Sequence, residues 1–157
     1  MRTMNSFYSN LSHGPVCLVP YEAEALAFLL ELSDDYPAIE GWYRTRVVPG
    51  LRVGTRFLMR VERAGELVGL GIAKNEEERK ICTVRVAPDH AGRGIGVRIF
   101  DGLLRWLDTD RPCLTVSQRK LAAFERLFDF YGFRQTSVHP NLYSPNVLEF
   151  GYNGIRL

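Results

Sequence analysis

Three glycines at alternate positions, Gly92, Gly94 and Gly96, are the residues of this sequence best placed to do chemistry. They close the stretch Val84-Arg-Val-Ala-Pro-Asp-His-Ala-Gly-Arg-Gly-Ile-Gly-Val97. An apolar, β-branched run precedes them. A helical pattern follows, with Ile99, Phe100, Leu103, Leu104, Trp106 and Leu107 recurring at three- and four-residue steps. A turn that enters a helix in this way bares N–H groups that no intrahelical carbonyl can satisfy. Together with the positive end of the helix dipole, those donors seat a phosphate or pyrophosphate. Bulky side chains would hold the anion off the backbone, which is the reason for glycine. The expectation is a phosphorylated cofactor over Gly92, Arg93, Gly94, Ile95, Gly96 and Val97.

The order of residues in the turn narrows the cofactor. A dinucleotide site wants Gly-x-Gly-x-x-Gly tight against the first strand of its domain. Here the glycines read Gly-x-Gly-x-Gly in mid-chain, and Pro88-Asp89 separates them from their strand. The Gly-Lys-Ser/Thr ending of a nucleotide-triphosphate loop is absent from the sequence. The stretch instead resembles the acyl-CoA-binding motif of the GNAT superfamily of N-acyltransferases, Arg/Gln-x-x-Gly-x-Gly/Ala after a strand ending Val-x-Pro. Gly94 and Gly96 match it, Gly92 and Arg93 are common fillers, and its first position falls on Ala91. The superfamily's second landmark, Leu-Tyr-x-x-x-Gly-Phe, looks like Leu127 through Gly132-Phe133, with Phe128 where the tyrosine usually stands.

That resemblance spans nearly the whole chain and implies a fold and an activity. The fold is α/β (α+β), with a mixed, mostly antiparallel central sheet of six to seven strands. Its middle strands are splayed, and helices, four or so, flank it. The activity is transfer of an acetyl group from acetyl-CoA to a primary amine: the amine attacks the thioester carbonyl, an oxyanion forms and a thiolate leaves. In the family a backbone N–H before the glycine turn supports the oxyanion, which points to the stretch from Val84 to Val86. The pantetheine arm pairs with main chain where that strand parts from the next, and Phe128 stands beside it.

Side chains able to assist are few. Phe128 cannot protonate the thiolate; Tyr131, one turn along the same helix face, is the candidate replacement, with core packing as its other reading. Ser117 is the polar group nearest the expected thioester, and it is equally placed to cap the next helix. Tyr36, Trp42 and Tyr43, beside Arg44 and Arg46, form the expected acceptor wall, with Tyr143 and His139 overhanging it. Two alternatives share the fold. One is an acyl-CoA-binding or regulatory module. The other is a toxin-like enzyme acting on aminoacyl-tRNA, which the balanced charge and the missing tyrosine disfavour.

The elements that must position these groups follow from pattern. The 157 residues, 46 % of them apolar, suit one domain, 1–157, with a polar lead-in over 1–13. A first strand is expected over 16–19, and a helix from Pro20 to about Ser33. A short helix from Pro37 through Tyr43 should end before Pro49-Gly50. Strands are expected over 57–63 and 66–73, joined at Ala64-Gly65, then over 79–86 and 114–117. A helix carrying Leu121, Phe124, Leu127 and Tyr131 stops at Gly132, and strands over 133–138 and 147–152 close the chain. Cys17, Cys82 and Cys113 show no paired or metal-ligand spacing and read as reduced, buried residues of cytosolic strands. Net charge is +2, so neither nucleic acid nor a membrane surface is an expected partner. No metal is expected, and a monomer or homodimer with a small-molecule or peptide amine acceptor is.

Overall fold

The computed structural model describes residues 17–31 and 36–157. The lead-in over 1–13, Val16 and the expected helix end at Leu32-Ser33 lie outside them. Helix α1, Pro20–Glu31, opens at its proline. The strand expected before it is not formed, because residues 17–19 carry no regular structure. Their backbone caps the helix instead: Val19 N–H donates to Glu22 Oε1 at 3.0 Å, and Ala23 N–H donates to the Val19 carbonyl at 2.9 Å. A glutamate reaching back to the N-cap N–H is half of a capping box. Arg52 locks it by donating to the same oxygen at 2.7 Å.

Ile39–Trp42, a π turn at Tyr43–Val47 and Val48–Val53 run on without a break as helix α2, over 39–53. The helix does not end before Pro49-Gly50 as expected. Pro49 falls in the first turn after the π turn, where its missing N–H and its ring are tolerated. Gly54, at φ +83°, provides the stop.

Strands β1, Arg56–Arg63, and β2, Glu66–Asn75, form the expected hairpin. Its turn residues Ala64 and Gly65 both have positive φ, +54° and +79°. Strand β3 is Arg79–Val86, and the antiparallel sheet runs β1-β2-β3. Helix α3, Ile95–Leu107, then leads through β4, Leu114–Ser117, to helix α4, Leu121–Tyr131. Strands β5, Gln135–Pro140, and β6, Leu148–Tyr152, complete a second sheet ordered β4-β6-β5. Strand β5 starts later than expected because α4 ends in a Schellman turn: Phe133 N–H donates to Phe128 O at 2.9 Å, and Gly132 N–H to Asp129 O at 3.1 Å. That turn draws Phe133 into the core.

The four helices and antiparallel strands are those expected, but the strands make two three-stranded sheets rather than one of six or seven. The sheets touch through one isolated parallel bridge, Lys80 with Cys113. Two hydrophobic clusters cover opposite faces. One joins Val61, Val68, Ile81 and Val84 to α3 and α4; the other joins Leu58, Leu70 and Ile72 to α1 and α2. Helix α3 lies directly on two glycines of β2. A Cβ on Gly69 would stand 2.7 Å from Ile95 Cγ2, and one on Gly71 would meet Ile99. Close seating of α3 fixes where the glycine turn ahead of it must lie. Among the described residues no helix is long and apolar enough to cross a membrane.

Candidate active site

Between β3 and α3 the chain makes a single 3-10 turn, Pro88–His90, then extends at Ala91. Gly92 and Gly94 follow at φ +76° and +79°, which residues bearing a Cβ rarely adopt. The Gly94 carbonyl accepts the first bond of α3, from Arg98 N–H at 3.1 Å. The N–H groups of Ile95, Gly96 and Val97 therefore stand ahead of the ladder. Gly96 is a different case from its neighbours. Its φ is not positive, and an added Cβ would only reach ordinary contact, 3.9 Å from Leu127 Cδ2. The fold does not ask for glycine there. Bare backbone at 96 instead suits a ligand lying against the amides, and the exposed Arg93 flanks the same surface.

Past the Lys80–Cys113 bridge, β3 and β4 part. Ala87 N–H donates to Val68 O at 2.8 Å on the β2 side. By the two-residue period of a strand, the N–H groups of Val84 and Val86 face the other way, into the gap. A bulge at Cys82 interrupts the pairing of β3 with β2. Cys82 packs with the α1–α2 cluster, and the next residue, Thr83, pairs with Ile72 of that cluster. Two consecutive residues thus lean toward one face.

A cavity of about 350 Å³ fills the gap. One half is lined by Val84, Leu114, Val116, Phe100, Phe124 and Phe128, beneath α3 and α4. The other is lined by Tyr36, Trp42, Arg56, Lys74, Arg85 and Tyr143, on the α2 side. Because the two halves belong to the two faces of the sheet, the cavity connects those faces through the parted strands. A thioester entering from one side and an amine entering from the other would meet there.

The residues singled out in the sequence distribute unevenly around this space. Val84, Phe128, Tyr36, Trp42 and Tyr143 line the cavity, and Tyr36 and Tyr143 meet edge to face at 5.4 Å. Tyr43 is fully buried beneath it and donates to the Glu22 carbonyl at 2.8 Å; burial pushes its hydroxyl up to about 12. The Tyr131 hydroxyl donates to Asp101 Oδ1 at 2.6 Å, tying α4 to α3. Burial, then that carboxylate, raises its pKa above the ordinary tyrosine range. Ser117 is buried at the end of β4, and the helix after it is capped at Lys120 without a side-chain bond. His139 is held by Ser137 at 2.8 Å. The cysteines depart from expectation: Cys17 is exposed and outside any strand, whereas Cys82 and Cys113 are half-buried, Cys113 just ahead of β4.

One residue escaped the sequence reading. Glu149, on β6 opposite Ser117 and His139, is only 3 % exposed and accepts from the Tyr36 hydroxyl at 2.9 Å. Burial first, and then Glu149, holds the Tyr36 hydroxyl well above its ordinary range, so it stays a donor. The signal was present: an acid between Leu148 and Phe150 in an otherwise apolar strand.

The family model of the acetyltransferase (GNAT) domain matches residues 48–146, a span that includes the parted strands, the glycine turn and α4. The chain belongs to that family. Solved structures agree at the level of fold. A GNAT-family acetyltransferase from Streptococcus pneumoniae superposes with TM-score 0.65 at 15% identity, covering 83% of this chain and 90% of that one. An aminoglycoside 6'-N-acetyltransferase complexed with coenzyme A gives TM-score 0.63 at 14% identity, over 85% and 90%. The ribosomal-protein-S18-alanine N-acetyltransferase from Escherichia coli gives 0.56 at 16% identity, over 69% and 74%. No curated protein matches the sequence. A GNAT domain with this cavity supports acetyl transfer in general terms.

Proposed function

We propose that this protein transfers an acetyl group from acetyl-CoA to a primary amine by direct attack on the thioester. The observation that carries the reading is the cavity that crosses the sheet where β3 and β4 part, next to a helix start stripped of side chains at Gly96. Acetyl-CoA supplies the activated acyl thioester. Its pyrophosphate is assigned to the amides of residues 92–97 with Arg93 beside them. Its arm is assigned to the gap-facing N–H groups of Val84 and Val86 and to the wall at Phe128. One of those N–H groups also serves as the donor to the developing oxyanion. Tyr36, Trp42 and Tyr143 form the acceptor side, with Tyr43 supporting them from below. Ser117 lies at the end of the facing strand, next in sequence to the cavity-lining Val116.

Direct transfer is favoured over an acetylated enzyme by the state of the one cavity thiol. Burial pushes the Cys82 thiol up, so it is held as a thiol rather than the thiolate a nucleophile needs. The test is release of free CoA from acetyl-CoA in the presence of an amine panel, for the parent and for Cys82→Ala. Amine-dependent release retained within about threefold in Cys82→Ala is the expected result. Loss of turnover of a hundredfold or more would point to a covalent intermediate. Tight binding of acetyl-CoA with no turnover on any amine would leave a binding module.

A further inference from the structure

The acceptor half of the cavity carries an unusual row of charge. Arg56 pairs with Lys74 across β1 and β2, and Lys74 pairs with Lys80 across β2 and β3. Three cations therefore stand side by side on neighbouring strands. Each lies two residues from a member of the α1–α2 cluster (Leu58, Ile72 and Cys82), so all three share that face. Like charges directly opposite one another weaken a sheet. Two acids on the β2–β3 turn answer two of them, Glu76 with Arg56 at 3.5 Å and Glu78 with Lys74 at 3.7 Å. Among the described residues no carboxylate lines the cavity itself. The nearby buried acid, Glu149, is already engaged by Tyr36.

Resting on the transfer reading above, we infer that the acceptor amine carries its own oxyanion, a carboxylate or a phosphate, on an apolar or aromatic body, and that Arg56, Lys74 and Lys80 bind that oxyanion. Composition points the same way. The chain takes nearly all its cations as arginine, yet its three lysines, Lys74, Lys80 and Lys120, all line this one cavity. Thr83 adds a polar group without an occupant: it is 8 % exposed, lines the cavity, and its Oγ1 has no hydrogen-bond partner. Trp42 supplies an apolar wall, with Arg56 6.0 Å from its ring centre. The row is not a seat for the cofactor's phosphates. Lys80 lies six residues before Val86, about 20 Å along an extended strand, and the glycine turn is beyond Val86. A polycationic amine would face three like charges at this end of the cavity, with Glu76 and Glu78 already paired to two of them.

The experiment compares phenylalanine, phenylalaninamide, O-phosphoethanolamine and spermidine as acceptors, reading kcat/KM for CoA release alongside calorimetric binding of each amine. An oxyanion-bearing acceptor should exceed the amide and spermidine by about tenfold or more, the effect of one charge-assisted contact. Lys80→Met should reduce that preference toward unity while leaving acetyl-CoA affinity at the parent value. Preference for phenylalanine identifies a carboxylate as the anion, and preference for O-phosphoethanolamine a phosphate. Equal or better use of the amide or of spermidine overturns the inference while leaving acetyl transfer intact. If no amine turns over, selective binding of an oxyanion-bearing amine upholds the anion site and removes the transfer reading. Absence of such binding removes the anion site too.

Discussion

Gly96 separates what the fold needs from what a ligand needs. At Gly92 and Gly94 the positive φ alone explains the residue; at Gly96 nothing inside the protein does. Aspartate at 96 sits in the first turn of α3, where a negative side chain favours the helix dipole by a few tenths of a kcal/mol. Gly96→Asp should therefore melt at or slightly above the parent temperature and yet bind acetyl-CoA at least about tenfold more weakly. Parent-like affinity in calorimetry would remove the phosphate from this turn. Tyr131 is the converse case. Its hydroxyl is occupied by Asp101 and lies away from the cavity lining. Tyr131→Phe should cost about 1 kcal/mol of stability and leave kcat within about twofold. A fall of a hundredfold with unchanged acetyl-CoA affinity would restore it as the acid that protonates the thiolate.

Helices α1 and α2 are joined by a carboxylate that reports on pH. The hydrogen bond from Arg52 holds the Glu22 carboxyl below the usual range, against the opposing effect of burial. A group whose folded pKa is depressed contributes stability above its unfolded pKa, about 4.3, and loses it as pH falls through the folded value. Glu22→Gln should thus lower the melting temperature at pH 7 and make progressively less difference as the pH drops below 4. A difference that stays constant from pH 7 to pH 3 would mean that charge plays no part there. The same corner explains where pattern reading stopped. The apolar run from Val16 to Val19 carries the composition of a strand, but capping by Glu22 is a tertiary arrangement completed by Arg52, thirty residues away. Strands β3 and β4 and the stop at Gly132 followed from local chemistry, so their positions could be read directly. Pro49 misled because a π turn is not encoded by any single residue. Glu149 was overlooked because its partner Tyr36 lies 113 positions away in sequence.

The two sheets hold together through the bridge between Lys80 and Cys113, where Ile81 N–H donates to Cys113 O at 3.0 Å and Cys113 N–H to Arg79 O at 2.9 Å. In hydrogen exchange the amides of Ile81 and Cys113 should be slow in the free protein, and those of Val84 and Val86 faster. Addition of acetyl-CoA should slow Val84 and Val86 selectively. Unchanged exchange at both would exclude main-chain pairing in the gap. The interrupted sheet carries a further consequence. An occupant that pairs with the inner edges acts as a removable strand, and it supplies the continuity the polypeptide lacks beyond residue 81. Folding stability then becomes a function of metabolite concentration, rising by about 2.7 kcal/mol when the occupant is present at a hundred times its Kd. A nucleotide fragment without the pantetheine arm would fill the turn but leave the inner edges unpaired, so at saturation it should leave exchange at Val84 and Val86 unchanged. The lifetime of the protein would then track the supply of its own co-substrate.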